Sequence, residues 1–155
     1  MDWVFLNTSF LRKNSYQISL FGPSYKDDKE QIIKRIKMLA ISDLISVRDG
    51  VTKTERDILM NDAKFFIHLS RLEGQPQSVL EAMGNGCIPI VSQYCNLADI
   101  EVENLGRTID IKQNLKNFDN AFLLQDHTTR SKNNIDYVRA QYQWKKIGPH
   151  FANKI

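Results

Sequence analysis

Residues 65–92 read FFIHLSRLEGQPQSVLEAMGNGCIPIVS, and this stretch decides the fold. It opens on a short apolar run, Phe65–Leu69, which leads into a polar loop containing one glycine and one proline. An amphipathic segment, Ser78–Asn85, then closes on Gly86, and a second apolar run follows at Cys87–Ser92. Short apolar runs on either side of a helix are typical of parallel strands buried in an α/β sheet.

The same alternation continues along the rest of the chain. Further strands are predicted at Tyr16–Phe21, Leu44–Val47 and Arg107–Ile111, and further helices at Asp27–Leu39, Lys53–Ala63, Leu115–Leu124 and Lys132–Trp144. Thr54 is the predicted cap of the second of these helices. The first residues fit a strand or a helix with Trp3, Leu6 and Phe10 on one face, and we favour the helix. The pattern predicts an α/β fold with a doubly wound, mostly parallel, Rossmann-like sheet.

Length and composition exclude several classes of protein. The 155 residues are one domain's length, so residues 1–155 are predicted to form a single domain. The net charge of +3 is mild, and no nucleic-acid partner is expected. Two cysteines cannot build a disulfide framework, and no signal sequence or apolar run of roughly 18 residues appears, so the expected location is the cytoplasm. The three histidines lack metal-ligand spacing, and no metal site is predicted.

The loop after Phe65–Leu69 carries the candidate chemistry. Doubly wound sheets bind ligands at the carboxyl ends of their strands, where this loop lies. A helix beginning near Gln77 would leave the first backbone N–H groups, those of Gln77, Ser78 and Val79, free to bind an anion such as phosphate. Glu73 precedes this position and Glu81 follows it by about one turn. Two carboxylates beside a phosphate-sized site can accept hydrogen bonds from sugar hydroxyls.

The spacing Glu73-x7-Glu81 and its flanking residues resemble one known family. The segment is similar to the E-x7-E segment of retaining glycosyltransferases of the GT-B fold, the large family four group. The matching positions are Ser70, Glu73, Gly74, Leu80, Glu81, Ala82, Met83, Gly86, Pro89, Ile90, Val91 and Ser92. Three positions depart from the pattern. Pro76 replaces a common glycine, Asn96 stands where many members have glycine, and Asp99 replaces the usual glutamate.

The resemblance implies a nucleotide-sugar site. Glu73 would be the catalytic residue, contacting the sugar hydroxyls beside the reacting carbon, and Glu81 would bind the ribose. The backbone around Gly74, Gln75, Gln77 and Ser78 would hold the sugar and the diphosphate, and the base would lie against Gly22, Arg48 and Val51. The donor substrate would be a nucleotide sugar, with a UDP- or GDP-sugar favoured, and neither a cofactor nor a metal would be required.

The resemblance also implies that parts of the enzyme lie outside this chain. The chain would be half of a GT-B fold, lacking its first, central strand and the Arg and Lys that neutralise the leaving diphosphate. The acceptor, a glycan or lipid-linked glycan, would bind a separate N-terminal domain. The complete enzyme would work in the cytoplasm, peripheral to the inner face of a membrane, whereas this chain alone would be inactive.

Other interpretations of the same residues remain open. The chain could be a non-catalytic, truncated transferase domain that self-associates through unpaired strand edges. A sugar-nucleotide epimerase of the same fold is a weaker alternative, since it needs catalytic acids and a histidine that the sequence does not supply. Glu81 near a helix start would gain about 0.3–1 kcal/mol from the helix dipole without any ligand. His68, at the end of an apolar strand, is interpreted as a structural histidine.

Overall fold

Helices and strands alternate along the chain in the computed structural model, which describes residues 4, 6–22, 28–97, 99–111 and 120–142. The strands are β1 (Ile18–Phe21), β2 (Ile45–Arg48), β3 (Phe65–His68), β4 (Ile88–Ser92) and β5 (Arg107–Ile109). The helices are α1 (Thr8–Lys13), α2 (Asp28–Met38), α3 (Lys53–Asp62), α4 (Gln77–Gly84), α5 (Asp99–Val102), α6 (Asn120–Leu124) and α7 (Thr128–Tyr142). Four parts of the predicted helices, namely Trp3, Asp27, residues 115–119 and residues 143–144, lie outside the described residues.

The chain divides into two units, Met1–Arg56 and Asp57–Ile155, and the division falls within α3. Each unit has its own parallel sheet, with β1 paired to β2 in the first and β4 between β3 and β5 in the second. The parallel pairing and the alternating helices confirm the predicted α/β class.

In the first unit, α1 and α2 bury apolar side chains together with residues of β2. The buried cluster consists of Val4, Leu11, Ile36, Ile41, Leu44 and Ile45. The acidic first turn and basic last turn of α2 each complement the helix dipole. Arg12 adds a two-point ion pair to Asp43, at 2.8 Å and 2.9 Å. This pair holds the pKa of the Asp43 carboxyl below its usual value.

The start of α3 differs from the prediction. Thr52, which directly precedes the helix, accepts a hydrogen bond at Oγ1 from the N–H of Glu55 (3.2 Å), and Glu55 Oε2 accepts from the N–H of Thr52 (2.8 Å). These reciprocal bonds form a capping box. The prediction of Thr54 as the cap was wrong, because Thr54 already lies inside the helix. The hydroxyl of Thr52 also holds the pKa of Glu55 below its usual value.

In the second unit, β4 is the central strand and all five of its residues are buried. Phe65 pairs with Ile88 and Ile90 with Arg107, so the carboxyl ends of β3, β4 and β5 meet at one edge of this sheet. Val79, Leu80 and Met83 of α4 are buried among residues of β4 and the segment after it. The loops 69–76 and 93–97, which leave β3 and β4, therefore lie at the same edge.

Two glycines allow close packing around β4. Gly86 ends the turn after α4 with φ +87°, and a Cβ there would lie 2.7 Å from Ser131 Oγ of α7. At Gly106, just before β5, a Cβ would lie 2.3 Å from the carbonyl oxygen of Pro89. Neither position can accept a side chain without moving its neighbour.

Candidate functional site

The candidate site is built on the loop 69–76, which joins β3 to α4. Ser92, at the end of β4, donates a hydrogen bond from its hydroxyl to the carbonyl oxygen of Ser70. The backbone N–H of Glu73 donates to the carbonyl oxygen of Tyr94 (3.3 Å). These two bonds hold the loop against the end of the central strand, at the carboxyl edge of the sheet.

Asn96 holds the same loop at Gly74, the residue after Glu73. Its side-chain Nδ2 donates to the carbonyl oxygen of Gly74 at 2.6 Å. Its backbone has φ +43°, the left-handed conformation that asparagine tolerates better than most residues and that glycine adopts freely. The replacement of glycine at this position therefore keeps the turn and adds a hydrogen bond. Gly74 itself faces open space, since a Cβ there would meet no heavy atom within 4 Å.

The carboxylate of Glu73 lies at the centre of the loop and contacts His68. Glu73 Oε1 is 3.0 Å from His68 Nε2, and the two side chains are 31% and 24% exposed. The structural interpretation of His68 missed this contact. Strand alternation could have indicated it, because the last residue of β3 is where a side chain can reach the loop that follows.

A buried thiol lies near Glu73. Cys95 is 1% exposed, and burial, together with the negative charge of Glu73, raises the pKa of its thiol to about 11. The thiol therefore stays protonated at neutral pH and is no nucleophile. Cys87 is also buried, and its thiol donates to the carbonyl oxygen of Met60 (3.0 Å). Both cysteines are core residues.

The helix α4 begins at Gln77, next to the loop, as predicted. Pro76 precedes it and offers no side-chain cap. Within the described residues, the N–H groups of Gln77 and Ser78 make no hydrogen bond. The N–H of Val79 differs from the prediction, because it donates to the carbonyl oxygen of Pro76 (3.0 Å) in a tight first turn. Two free N–H groups, rather than three, are therefore available to bind an anion at the positive end of the helix.

Glu81 and the two glutamines lie on the exposed side of this helix start. Gln77 and Glu81 are four residues apart in α4 and therefore share one face. Both are exposed, and Gln77 Nε2 donates to Gln75 Oε1 at 3.1 Å. The second unit thus brings together six predicted site residues, namely Glu73, Gly74, Gln75, Gln77, Ser78 and Glu81.

The other predicted site residues belong to the first unit. Arg48 is the last residue of β2 and pairs with Phe21, so Gly22, the next residue of the chain, lies at the same carboxyl edge of the β1–β2 sheet. Arg48 is exposed, whereas Val51, in the loop before α3, is half-buried. The structure brings Gly22 and Arg48 to one edge, as parallel pairing requires.

A second concave surface lies at the opposite edge of the β3–β4–β5 sheet. This cleft has a volume of about 490 Å³, and its lining includes Asp62, Lys64, Asp126, His127 and Thr128. Asp126 already caps the N–H of Thr128 at 2.9 Å, and two carboxylates with one lysine do not suit a diphosphate. The loop at the carboxyl edge is the better candidate site.

Two features are absent from the described part of the chain. It contains no cluster of three or more His, Cys, Asp or Glu side chains that could hold a metal ion. No helix among the same residues is both long and apolar enough to span a membrane.

Comparison with solved structures identifies the fold. The chain matches the structure of WaaG, a glycosyltransferase involved in lipopolysaccharide biosynthesis, with a TM-score of 0.71 and 18% identity over 91% of this chain and 39% of WaaG. It matches a chain of the GtfA/B complex with a TM-score of 0.76 and 15% identity, over 99% of this chain and 32% of that one. The fold is that of the C-terminal domain of a GT-B glycosyltransferase.

The family follows from the sequence itself. Residues 8–134 match the family described as Glycosyl transferases group 1, and the chain belongs to this family. It is 26% identical over 148 residues to the GDP-mannose:cellobiosyl-diphosphopolyprenol alpha-mannosyltransferase of Xanthomonas campestris, and equally to that of Xanthomonas oryzae pv. oryzae. The match covers 92% of this chain and 39% of each relative, so the chain spans well under half the length of these enzymes.

Proposed function

We propose that this chain is the nucleotide-sugar-binding domain of a retaining glycosyltransferase. The observation that carries the proposal is the arrangement around loop 69–76, where the carboxylate of Glu73 lies beside the start of α4 with its two free N–H groups. A diphosphate has the charge that such a helix start attracts, and a sugar has the hydroxyls that a carboxylate accepts from.

Each part of the sugar donor has proposed partners. The N–H groups of Gln77 and Ser78 bind the diphosphate, with Gly74 and Gln75 beside it. Glu73 accepts from hydroxyls of the transferred sugar, and Glu81 accepts from the ribose. For the base we propose the edge residues of the first unit, Gly22, Arg48 and Val51, as the resemblance implies.

The reaction moves the sugar from the diphosphate to an acceptor hydroxyl. The bond between the sugar C1 and the diphosphate oxygen breaks, and its electron pair leaves with the diphosphate. The acceptor oxygen forms the new bond to C1 on the same face, and its proton passes to the departing diphosphate oxygen. The helix start lowers the barrier because its fixed dipoles stabilise the negative charge that grows on the leaving diphosphate. No cofactor takes part in this scheme.

The substrate classes follow from the resemblance and from the relatives. The donor is a UDP- or GDP-sugar, and GDP-mannose is the first to test, since it appears in the names of the two Xanthomonas enzymes. The acceptor is a glycan or lipid-linked glycan held by a separate domain. The complete enzyme works in the cytoplasm, at the inner face of a membrane.

Isothermal titration calorimetry tests the proposal directly. GDP-mannose, UDP-glucose and ADP-glucose are titrated into the folded chain, and we expect heat from at least one. Glu81→Gln is expected to weaken the binding of that ligand and of its parent nucleoside diphosphate alike, by about fivefold, because both contain the ribose. The matched control is Glu103→Gln, an exposed carboxylate near the amino end of β5, which leaves both affinities unchanged. Absence of heat with all three ligands would sink the proposal.

A second candidate function is self-association of a non-catalytic domain. One observation favours it. In the described part of the chain, β3 pairs only with β4, so its other edge is unpaired. Ile67 in this strand and Leu69 just after it are 48% and 40% exposed. An apolar strand edge of this kind can pair with a second copy. Sedimentation analysis of the ligand-free chain, together with the titrations above, distinguishes the two candidate functions. The second candidate predicts a dimer that binds no nucleotide sugar.

A further inference from the structure

The contact between His68 and Glu73 is the starting point. His68 closes β3, and five residues later Glu73 turns back so that its Oε1 lies 3.0 Å from His68 Nε2. A carboxylate only accepts hydrogen bonds, so the imidazole Nε2 carries the proton and donates it. A hydrogen bond to a carboxylate is stronger and more directional than one between neutral groups.

The imidazole ring is itself held in place. His68 and Phe66 lie on the same face of β3, with ring centroids 6.5 Å apart and planes 11° from parallel. Phe66 packs against the buried clusters that contain Val79 and Met60. Stacking on Phe66 therefore anchors the ring of His68 to the core of the second unit. From this position its Nε2 faces the loop.

The backbone and the carboxylate of Glu73 are fixed by different partners. The N–H of Glu73 donates to Tyr94, and the next carbonyl, that of Gly74, accepts from Asn96. Neither bond determines where the carboxylate points. That direction depends on the bond between Oε1 and His68, which leaves Oε2 to accept from a ligand.

We infer that His68 is a positioning residue for Glu73 and that, through Glu73, it sets the preference for a nucleotide sugar over the bare nucleoside diphosphate. The inference rests on the proposed function, since it gives Glu73 the sugar as its ligand. His68 contacts neither the diphosphate nor the ribose in this arrangement. Its loss therefore weakens the binding of the sugar and leaves the binding of the nucleotide intact.

Two variants at one position test this inference. His68→Leu removes the donor, whereas His68→Gln keeps an N–H group near the position of Nε2. Calorimetry compares GDP-mannose with GDP, or whichever sugar and parent nucleotide the wild-type chain prefers. We expect His68→Leu to weaken the binding of the sugar nucleotide by about tenfold and that of the parent nucleotide by less than about twofold. We expect His68→Gln to restore most of the preference, which a merely structural role would not produce.

A measurement without ligand keeps the inference testable if His68→Leu does not fold. The ¹⁵N spectrum of the histidine imidazoles is recorded for the wild type and for Glu73→Gln, and we expect the His68 signals to move while those of His127 stay. Unmoved His68 signals would overturn the inference, as would an equal loss of both ligands in a folded His68→Leu. A wild-type chain with no preference for any sugar nucleotide instead contradicts the proposed function, and the inference falls with it.

Discussion

At the scale of the residue, Asn96 does two things at once. Its left-handed backbone, with φ +43°, turns the chain back after β4, and its side chain holds the carbonyl of Gly74 at 2.6 Å. Glycine can keep the first role but not the second, and alanine can keep neither. Glycine adopts the backbone without strain but has no side chain, whereas alanine has neither the conformational freedom nor the amide.

Replacement of Asn96 should therefore separate the two roles. Asn96→Gly loses one hydrogen bond and is expected to lower the free energy of unfolding by about 1 kcal/mol. Asn96→Ala also forces a left-handed alanine and should lower it by about 2–3 kcal/mol. Urea denaturation measures both values. Equal losses in the two variants would show that the backbone conformation contributes nothing.

His127 is the residue from which we expect a pH-dependent stability. The residue is 4% exposed, and Nε2 lies 2.8 Å from the carbonyl oxygen of Phe122 while Arg130 contacts Nδ1. Burial, with the nearby charge of Arg130, lowers the pKa of His127 in the folded chain. The unfolded chain then binds a proton that the folded chain does not, once the pH falls below the ordinary histidine pKa of about 6.5.

We therefore expect the free energy of unfolding to fall as the pH falls from about 6.5 toward 5. His127→Gln keeps an N–H group for Phe122 but cannot titrate, so its stability should vary less over the same range. Denaturation at a series of pH values compares the two chains. Parallel pH profiles would contradict this role for His127.

At the scale of the element, the predictable features are those that depend only on residues close together in the sequence. The start of α4 at Gln77 follows from Pro76 and the apolar spacing after it, and Gly86 marks its end. The cap of α3 was missed because two threonines stand near its start, and only the bonds between Thr52 and Glu55 tell them apart. A helix start is therefore predictable to within a residue or two, whereas its cap depends on where the backbone actually turns.

The two threonines provide a matched pair for an experiment. Thr52→Ala removes the hydroxyl that caps α3 and should lower the free energy of unfolding by about 1 kcal/mol. Thr54→Ala lies inside the helix and should change it by less than about 0.5 kcal/mol. Thermal or urea denaturation ranks the variants. A larger loss for Thr54→Ala would contradict the capping box.

At the scale of the whole molecule, the sequence predicted the elements of each unit better than the contacts between those elements. The strands, the helices and the spacing of Glu73 and Glu81 were accessible because they are local patterns. The contact of Glu73 with Tyr94 was not, because it joins the loop after β3 to the segment after β4. Such contacts depend on which strands are neighbours, and no local pattern contains that information.

The central claim is that a nucleotide sugar binds where the loop 69–76 meets α4. Titration of GDP-mannose into the ¹⁵N-labelled chain, followed by backbone amide spectra, tests it most directly. We expect the amide signals of Gln77 and Ser78 to move the most within the second unit, because these free N–H groups receive the diphosphate. Unmoved signals at these two residues, with changes instead around Lys64 and Thr128 at the opposite edge of the sheet, would contradict it.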